Sequence, residues 1–226
     1  MNTANRWAVF FDLEGTLVVR ATTLEQVVET VLFAHDRVRS TDVVREAVES
    51  ALANTTSSDR RALYADIFRR LQFEDVDRLA SSLWESCQRV DPPVLAPGAV
   101  AALELLHDAG ATLGVITNAD GHVRDMLARL GIARYLRVVM TPSRGGATKP
   151  DRRIFEAALR EADVPASHAW HVGDDPVGDA QGAMRAGLSA VLIRAREGTS
   201  TNGVPIAARV DEAAALILAR EAKRIR

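Results

Sequence analysis

The sequence contains a single cysteine, Cys87, among its 226 residues. No disulfide can therefore form within the chain, which favours a reducing compartment such as the cytoplasm. The first residues lack the basic segment and the apolar stretch that together mark a secretory signal. No apolar run approaches the roughly 18 residues needed to span a bilayer. We expect a cytoplasmic protein without a membrane partner.

The sequence also lacks an excess of charge of either sign. It has 28 basic and 30 acidic residues, for a formal net charge of −2, and only 5% aromatic residues. This balance argues against a nucleic-acid groove and against an acidic, disordered binding arm. The length suffices for one large core and a smaller accessory domain. We expect a small-molecule partner and no nucleic acid, and the sequence is compatible with a monomer or a homodimer.

The hydrophobic pattern divides the chain into two kinds of segment. Residues 7–12 form an apolar run that ends in an acid and predicts a buried strand. Residues 20–91 have helical spacing throughout and predict four helices. From residue 92 onward strands and helices alternate with short connections, which predicts a doubly wound parallel sheet. The expected fold class is α/β, with a core from residues 1–19 and 92–226 and an all-helical insertion after the first strand.

Polar residues follow four of the predicted strands at the point where each strand ends. They are Asp12 and Glu14 after the first, Thr117 and Asn118 after the second, Lys149 in the loop after the third, and Asp174, Asp175 and Asp179 at and beyond the end of the fourth. In a doubly wound sheet the ligand site lies at these carboxyl ends. We therefore expect these side chains to converge on one site.

Several carboxylates close together repel one another unless a cation is present. Mg²⁺ suits a site that offers a few carboxylates, water and a phosphate oxygen. The Lys149 ammonium and the Thr117 hydroxyl supply hydrogen-bond donors that a phosphate requires. The residue types therefore predict a magnesium-dependent site for a phosphate ester, with one acid as nucleophile and a neighbouring acid as proton carrier.

Four segments in this order resemble the signature motifs of the haloacid dehalogenase (HAD) superfamily: FFDLEGTLV, VITN, KPD and GDDPVGDA. The helical insertion after the first motif resembles the C1 cap of the phosphoglycolate-phosphatase-like members. The resemblance covers essentially the whole chain. It implies a Rossmann-like catalytic core, a mobile cap and phosphomonoester hydrolysis through an aspartyl-phosphate.

The resemblance also implies a role for each motif residue. Asp12 is the nucleophile and a metal ligand, Glu14 is the general acid/base and gives its backbone carbonyl to the metal, and Lys149 neutralises charge. Thr16, Thr117 and Asn118 are the expected substrate-binding residues. Asp174 binds the metal directly, with Asp175 or Asp179 assisting. His171, on the fourth strand, is interpreted as a core residue.

Residue 14 departs from the usual phosphatase pattern, which has aspartate at this position. A glutamate can transfer the same proton, but its carboxylate lies about 1 Å further out. The DxEGT form resembles the enolase-phosphatases of methionine salvage, whereas the residues after Thr16 resemble the ordinary C1 phosphatases. Three alternatives remain open: a phosphomutase, a catalytically weak or inactive binding protein of the same fold, and a dehalogenase, against which the retained acids argue.

Overall fold

A computed structural model describes residues 6–54, 60–89, 92–193 and 203–224. The chain divides into two compact units, one formed by residues 1–19 with 95–226 and the other by residues 20–94. Residues 90 and 91, where the sequence places the end of the helical insertion, lie outside the described ranges. In those ranges no helix combines the length and the apolar composition required to cross a membrane.

The described residues of the first unit form one sheet of six parallel strands, with the order β5-β4-β1-β6-β7-β8. The strands that build this sheet are β1 (Ala8–Phe11), β4 (Thr112–Ile116), β5 (Leu136–Met140), β6 (Ala169–Gly173), β7 (Ser189–Ile193) and β8 (Ile206–Ala207). A separate two-stranded sheet pairs β2 (Val18–Val19) with β3 (Val94–Leu95).

Helices cover both faces of the six-stranded sheet. The helices of this unit are α5 (Ala99–Asp108), α6 (Val123–Arg129), α7 (Pro142–Gly145), α8 (Arg152–Ala162), α9 (Gly182–Arg185) and α10 (Val210–Arg224). In β1, Val9 and Phe11 pack into the apolar layer with α5 and α10, while Ala8 and Phe10 pack into the layer with α8. A strand that is buried on both faces requires a continuous apolar run, which explains the sequence of β1. The predicted doubly wound fold is confirmed.

Within the part of the chain that the structure describes, the second unit forms four helices that pack around their own hydrophobic core. Its helices are α1 (Leu24–Ala34), α2 (Thr41–Asn54), α3 (Arg60–Arg70) and α4 (Val76–Arg89). The predicted spacing places Val27, Val28, Val31 and Leu32 on the buried face of α1. Thr23 begins this helix with a capping box, in which its hydroxyl accepts from the Gln26 N–H and the Gln26 side chain accepts from the Thr23 N–H.

The structure contains short elements that the sequence did not predict. Strands β2 and β3 have two residues each and α7 has four, so none is long enough to show a period. The helix that follows Asp175 begins with a π-helical segment, Pro176–Gln181, and continues as α9. That wider winding carries Asp179, one of the candidate site residues.

Candidate active site

The candidate site lies where three adjacent parallel strands end. Strand β1 lies between β4 and β6, so Asp12, Thr117 and Asp174 follow neighbouring strands. The Asp12 N–H donates to the Val172 carbonyl at 2.8 Å and therefore extends the β1–β6 pairing by one residue. The sheet thus holds the nucleophile candidate on regular backbone rather than on a loose loop.

Three carboxylates converge at this edge of the sheet. Asp12, Asp174 and Asp179 each place an oxygen within 4.8 Å of the other two. Asp12 and Asp179 are buried, whereas Asp174 is exposed. Oxygen ligands from a few carboxylates, with one side open to water, suit a hard divalent cation such as Mg²⁺. The donor set of this cluster fits the metal that the sequence predicts.

Lys149 is the cation that the fold supplies to these acids. Its Nζ donates to Asp12 Oδ1 and to Asp179 Oδ1, at 2.5 Å in each case. Only 8% of Lys149 is exposed, compared with 7% of Asp12 and 1% of Asp179. Buried charges of this kind require close partners, and one lysine therefore serves two carboxylates.

The electrostatic balance remains negative because three acids face one lysine. Burial raises the pKa of Asp12 from 3.8 to about 7, with Lys149 opposing the shift and Asp179 adding to it. Asp174 is exposed as a residue, but the surrounding protein partly desolvates its carboxylate, and this desolvation together with the Asp179 charge raises the pKa of Asp174 to about 6. A divalent cation between these carboxylates would favour their ionised forms. The site therefore fits one further cation.

Asp179 and Lys149 form the ionised pair of the site. Burial by itself would raise the pKa of Asp179, but Lys149 and His171 outweigh it and hold the pKa below its usual range. Burial by itself would lower the pKa of Lys149, but Asp12 and Asp179 outweigh it and hold the pKa above its usual range. The lysine is therefore a fixed positive charge beside Asp12.

Two glycines make room for the acids. Gly15 has φ +88°, and a Cβ added to it would lie 2.2 Å from Asp174 Oδ2. A Cβ on Gly173 would lie 2.2 Å from the Asp179 carboxyl. Since real Cβ atoms essentially never approach closer than 3.0 Å, any larger residue would displace the acid. Glycine at these positions is what lets the carboxylates pack against the backbone.

The three predicted substrate-binding residues differ in the hydrogen bonds that their side chains make. Thr117 Oγ1 accepts from the Ala119 N–H at 3.0 Å, which leaves its own O–H as a donor. The Asn118 side chain is bonded to the backbone of Lys149. Thr16 is fully buried, and its Oγ1 has no hydrogen-bond partner among the described residues. Substrate contacts at these three positions stay predictions.

Glu14 and Asp175 lie outside the cluster of three carboxylates. Asp175 Oδ1 instead accepts from the Val177 N–H at 2.8 Å and caps the π-helical segment. Of the two acids that the sequence left open as the assisting ligand, Asp179 is the one in the cluster. The Glu14 backbone forms a bridge with Val18, next to the turn at Gly15. Metal contacts of Glu14 and Asp175 stay predictions.

His171 belongs to the site as well as to the core. The residue is fully buried, its Nε2 lies 2.9 Å from Asp179 Oδ1, and its ring meets the Phe155 ring edge-on at 5.2 Å. Burial lowers the pKa of His171, so the neutral imidazole donates from Nε2 to the carboxylate. The feature of the sequence that could have indicated this role is that His171 is a polar residue two positions before Gly173 and therefore on the same face of the strand.

Comparison with known proteins agrees with the geometry. The model of a family described as haloacid dehalogenase-like hydrolase matches residues 8–187. A phosphoglycolate phosphatase of Pseudomonas fluorescens is 32% identical over 203 residues, which cover 82% of this chain and 68% of that protein. A crystal structure of a HAD phosphatase from Thermococcus onnurineus is similar with a TM-score of 0.64 and 25% identity, covering 93% of this chain and 97% of that one.

Another relative is the haloacid dehalogenase-like hydrolase domain-containing protein 3 of Xenopus laevis, which is 36% identical over 129 residues. That match covers 56% of this chain and 53% of the relative, so the chain spans about half the length of this protein. The family match, by contrast, includes every residue of the candidate site. The chain belongs to the haloacid dehalogenase-like hydrolase family.

Proposed function

We propose that this protein is a Mg²⁺-dependent phosphatase that hydrolyses a small phosphorylated metabolite through a phosphorylated Asp12. The observation that carries the proposal is the position of the Asp12 carboxylate. It lies against Lys149 on one side and belongs to a cluster with Asp174 and Asp179. That arrangement supplies a nucleophile, a fixed positive charge and oxygen ligands for a metal at one point.

In the first step an Asp12 oxygen attacks phosphorus in line with the ester oxygen. The P–O bond to the leaving group breaks, and Glu14 donates a proton to the departing alkoxide. In the second step Glu14 takes a proton from water, and the hydroxide displaces Asp12 from phosphorus to give free phosphate. Phosphoryl transfer needs mainly positioning and charge neutralisation, which Lys149 and the Thr117 hydroxyl supply.

Asp12 and Asp174 would hold the metal, with Asp179 close by and the Glu14 carbonyl as a further ligand. When bound, Mg²⁺ supplies charge stabilisation to the transferring phosphoryl group. Asp179 is already committed to Lys149, to His171 and, through Oδ2, to the Asp175 N–H at 3.0 Å. We therefore assign Asp179 mainly the task of holding the lysine.

In the proposed function, the helical insertion, residues 20–91 as the sequence delimits it, is a cap that selects the leaving group. The named relative from Pseudomonas fluorescens makes phosphoglycolate a first compound to test. A phosphomutase would use the same site and differ in excluding water from the phosphorylated Asp12.

The test is a phosphate-release screen over phosphoglycolate, sugar phosphates, nucleotides and p-nitrophenyl phosphate, with Mg²⁺ and with a chelator. We expect release that requires Mg²⁺ and disappears in Asp12→Asn. A 2-haloacid is included, and halide release that persists with the chelator would contradict the proposal. Phosphate returned to a sugar phosphate instead of released would identify a mutase.

A further inference from the structure

The Asn118 side chain bonds to both backbone groups of a single residue, Lys149. Its Oδ1 accepts from the Lys149 N–H at 2.7 Å, and its Nδ2 donates to the Lys149 carbonyl at 3.1 Å. Because the N–H needs an acceptor and the carbonyl needs a donor, these two partners fix the orientation of the amide. Asn118 therefore holds the Lys149 backbone as a neighbouring strand would.

The ammonium group of Lys149 is also held by hydrogen bonds. The residue lies in the loop between α7 and α8, and its ammonium contacts Asp12 and Asp179. A lysine side chain is a flexible four-carbon stem, so the position of its ammonium depends on where the backbone is fixed. Asn118 fixes that backbone from 31 residues away.

We propose that Asn118 is a positioning residue, whose side chain acts through Lys149 to keep the ammonium between Asp12 and Asp179. The inference rests on the proposed function, since it takes Lys149 as the group that neutralises charge at Asp12. Asparagine is the residue type of this length that offers both a donor and an acceptor. Aspartate offers acceptors alone, and leucine offers neither.

The composition of the chain makes this inference measurable without turnover. The sequence has two lysines, Lys149 and Lys223. Lys223 is exposed near the end of α10, whereas Lys149 is buried. Acetylation with an amine-reactive ester, followed by peptide mass spectrometry, therefore reports the accessibility of Lys149 against an internal reference. We expect Asn118→Leu to raise the Lys149 to Lys223 acetylation ratio by about tenfold, because the loop opens more often.

Turnover supplies the second measurement. Asn118→Leu is expected to lower kcat about 10- to 100-fold with little change in KM, since a misplacement near 1 Å costs up to about 100-fold. Asn118→Asp keeps the acceptor for the Lys149 N–H but loses the donor to the Lys149 carbonyl. Its kcat is expected to lie between those of Asn118→Leu and the wild type. In a Lys149→Met background, Asn118→Leu should change kcat by less than about twofold. His122→Ala, at an exposed neighbouring position, is the control and should match the wild type.

If the fold losses in kcat of Asn118→Leu and Lys149→Met multiply in the double variant, the inference is overturned, because Asn118 would then act independently of the lysine. An unchanged acetylation ratio in folded Asn118→Leu would also overturn it. If Asn118→Leu does not fold, Asn118→Asp carries both tests. If the wild type releases no phosphate, the proposed function fails, and the acetylation ratio still decides whether Asn118 positions Lys149.

Discussion

Replacing Gly15 by alanine tests the close approach of Asp174 to the backbone after β1. A Cβ at this position would lie 2.2 Å from Asp174 Oδ2 and 2.7 Å from its Cγ. Contacts below 3.0 Å are essentially never seen, so the carboxylate must move by at least the difference between 3.0 and 2.2 Å, which is 0.8 Å. The substitution therefore displaces a proposed metal ligand without changing any charge.

Two separate effects are expected from Gly15→Ala. The positive φ of +88° costs an alanine about 1–2 kcal/mol of stability. The displaced carboxylate lowers kcat/KM by about 100-fold, the typical effect of a shift near 1 Å in a catalytic group. The apparent affinity for Mg²⁺ should fall in parallel, because Asp174 is one of the three clustered carboxylates.

Gly110→Ala is the matched control. Gly110 has φ +81°, and a Cβ on it would meet nothing within 4 Å. The two variants should therefore lose similar free energies of unfolding in guanidinium titrations, while only Gly15→Ala loses Mg²⁺-dependent hydrolysis of p-nitrophenyl phosphate. Equal activity of the two variants would refute the argument that Gly15 makes room for Asp174.

Three further predictions concern the charges of the site. In metal-free protein the pKa of Asp12, raised from 3.8 to about 7, gives stability that is present below pH 4 and is lost as the pH rises to 7. At pH 8, Asp12→Asn should therefore have a free energy of unfolding higher than that of the wild type by up to about 4 kcal/mol, and it should unfold at a higher temperature. Calorimetry should show this difference vanishing near pH 4. At 100 times its Kd, Mg²⁺ should stabilise the wild type by about 2.7 kcal/mol and so raise its Tm. An equal rise in the Tm of Asp174→Asn would contradict the assignment of Asp174 as a metal ligand. Asp179→Asn should cost about 3–5 kcal/mol of unfolding free energy because it breaks a buried ion pair. Asp175→Asn should leave the same denaturant titration nearly unchanged, because an asparagine oxygen can still accept from the Val177 N–H at this exposed cap.

The sequence was sufficient to predict that Asp12, Lys149, Asp174 and Asp179 lie close together, whereas it also placed Glu14 and Asp175 in that group, and both lie outside the carboxylate cluster. A buried strand that ends in Asp12, followed by alternating helices and strands, implies parallel strands whose carboxyl ends meet. The structure indeed brings Asp12, Lys149, Asp174 and Asp179 together. Periodicity and the position of polar residues sufficed here because the sheet topology fixes which ends are adjacent.

Other features depend on contacts that a local pattern does not contain. The pairing of Asn118 with the Lys149 backbone joins residues 31 positions apart and depends on how the α7–α8 loop lies against the end of β4. The bond from His171 to Asp179 depends on the π-helical segment that carries the acid. Strands β2 and β3 have two residues each and are too short to show a hydrophobic period in the sequence. Each of these features is produced by tertiary packing rather than by local propensity.

Asp12 is expected to become phosphorylated during turnover. Rapid acid quenching with a substrate found in the screen, followed by peptide mass spectrometry, should find one phosphoryl group on the peptide that contains Asp12. Hydroxylamine should remove that group, because it is an acyl phosphate, and Asp12→Asn should lack it. Mg²⁺-dependent phosphate release from the wild type with no phosphorylated Asp12 peptide, or undiminished release by Asp12→Asn, would contradict the account.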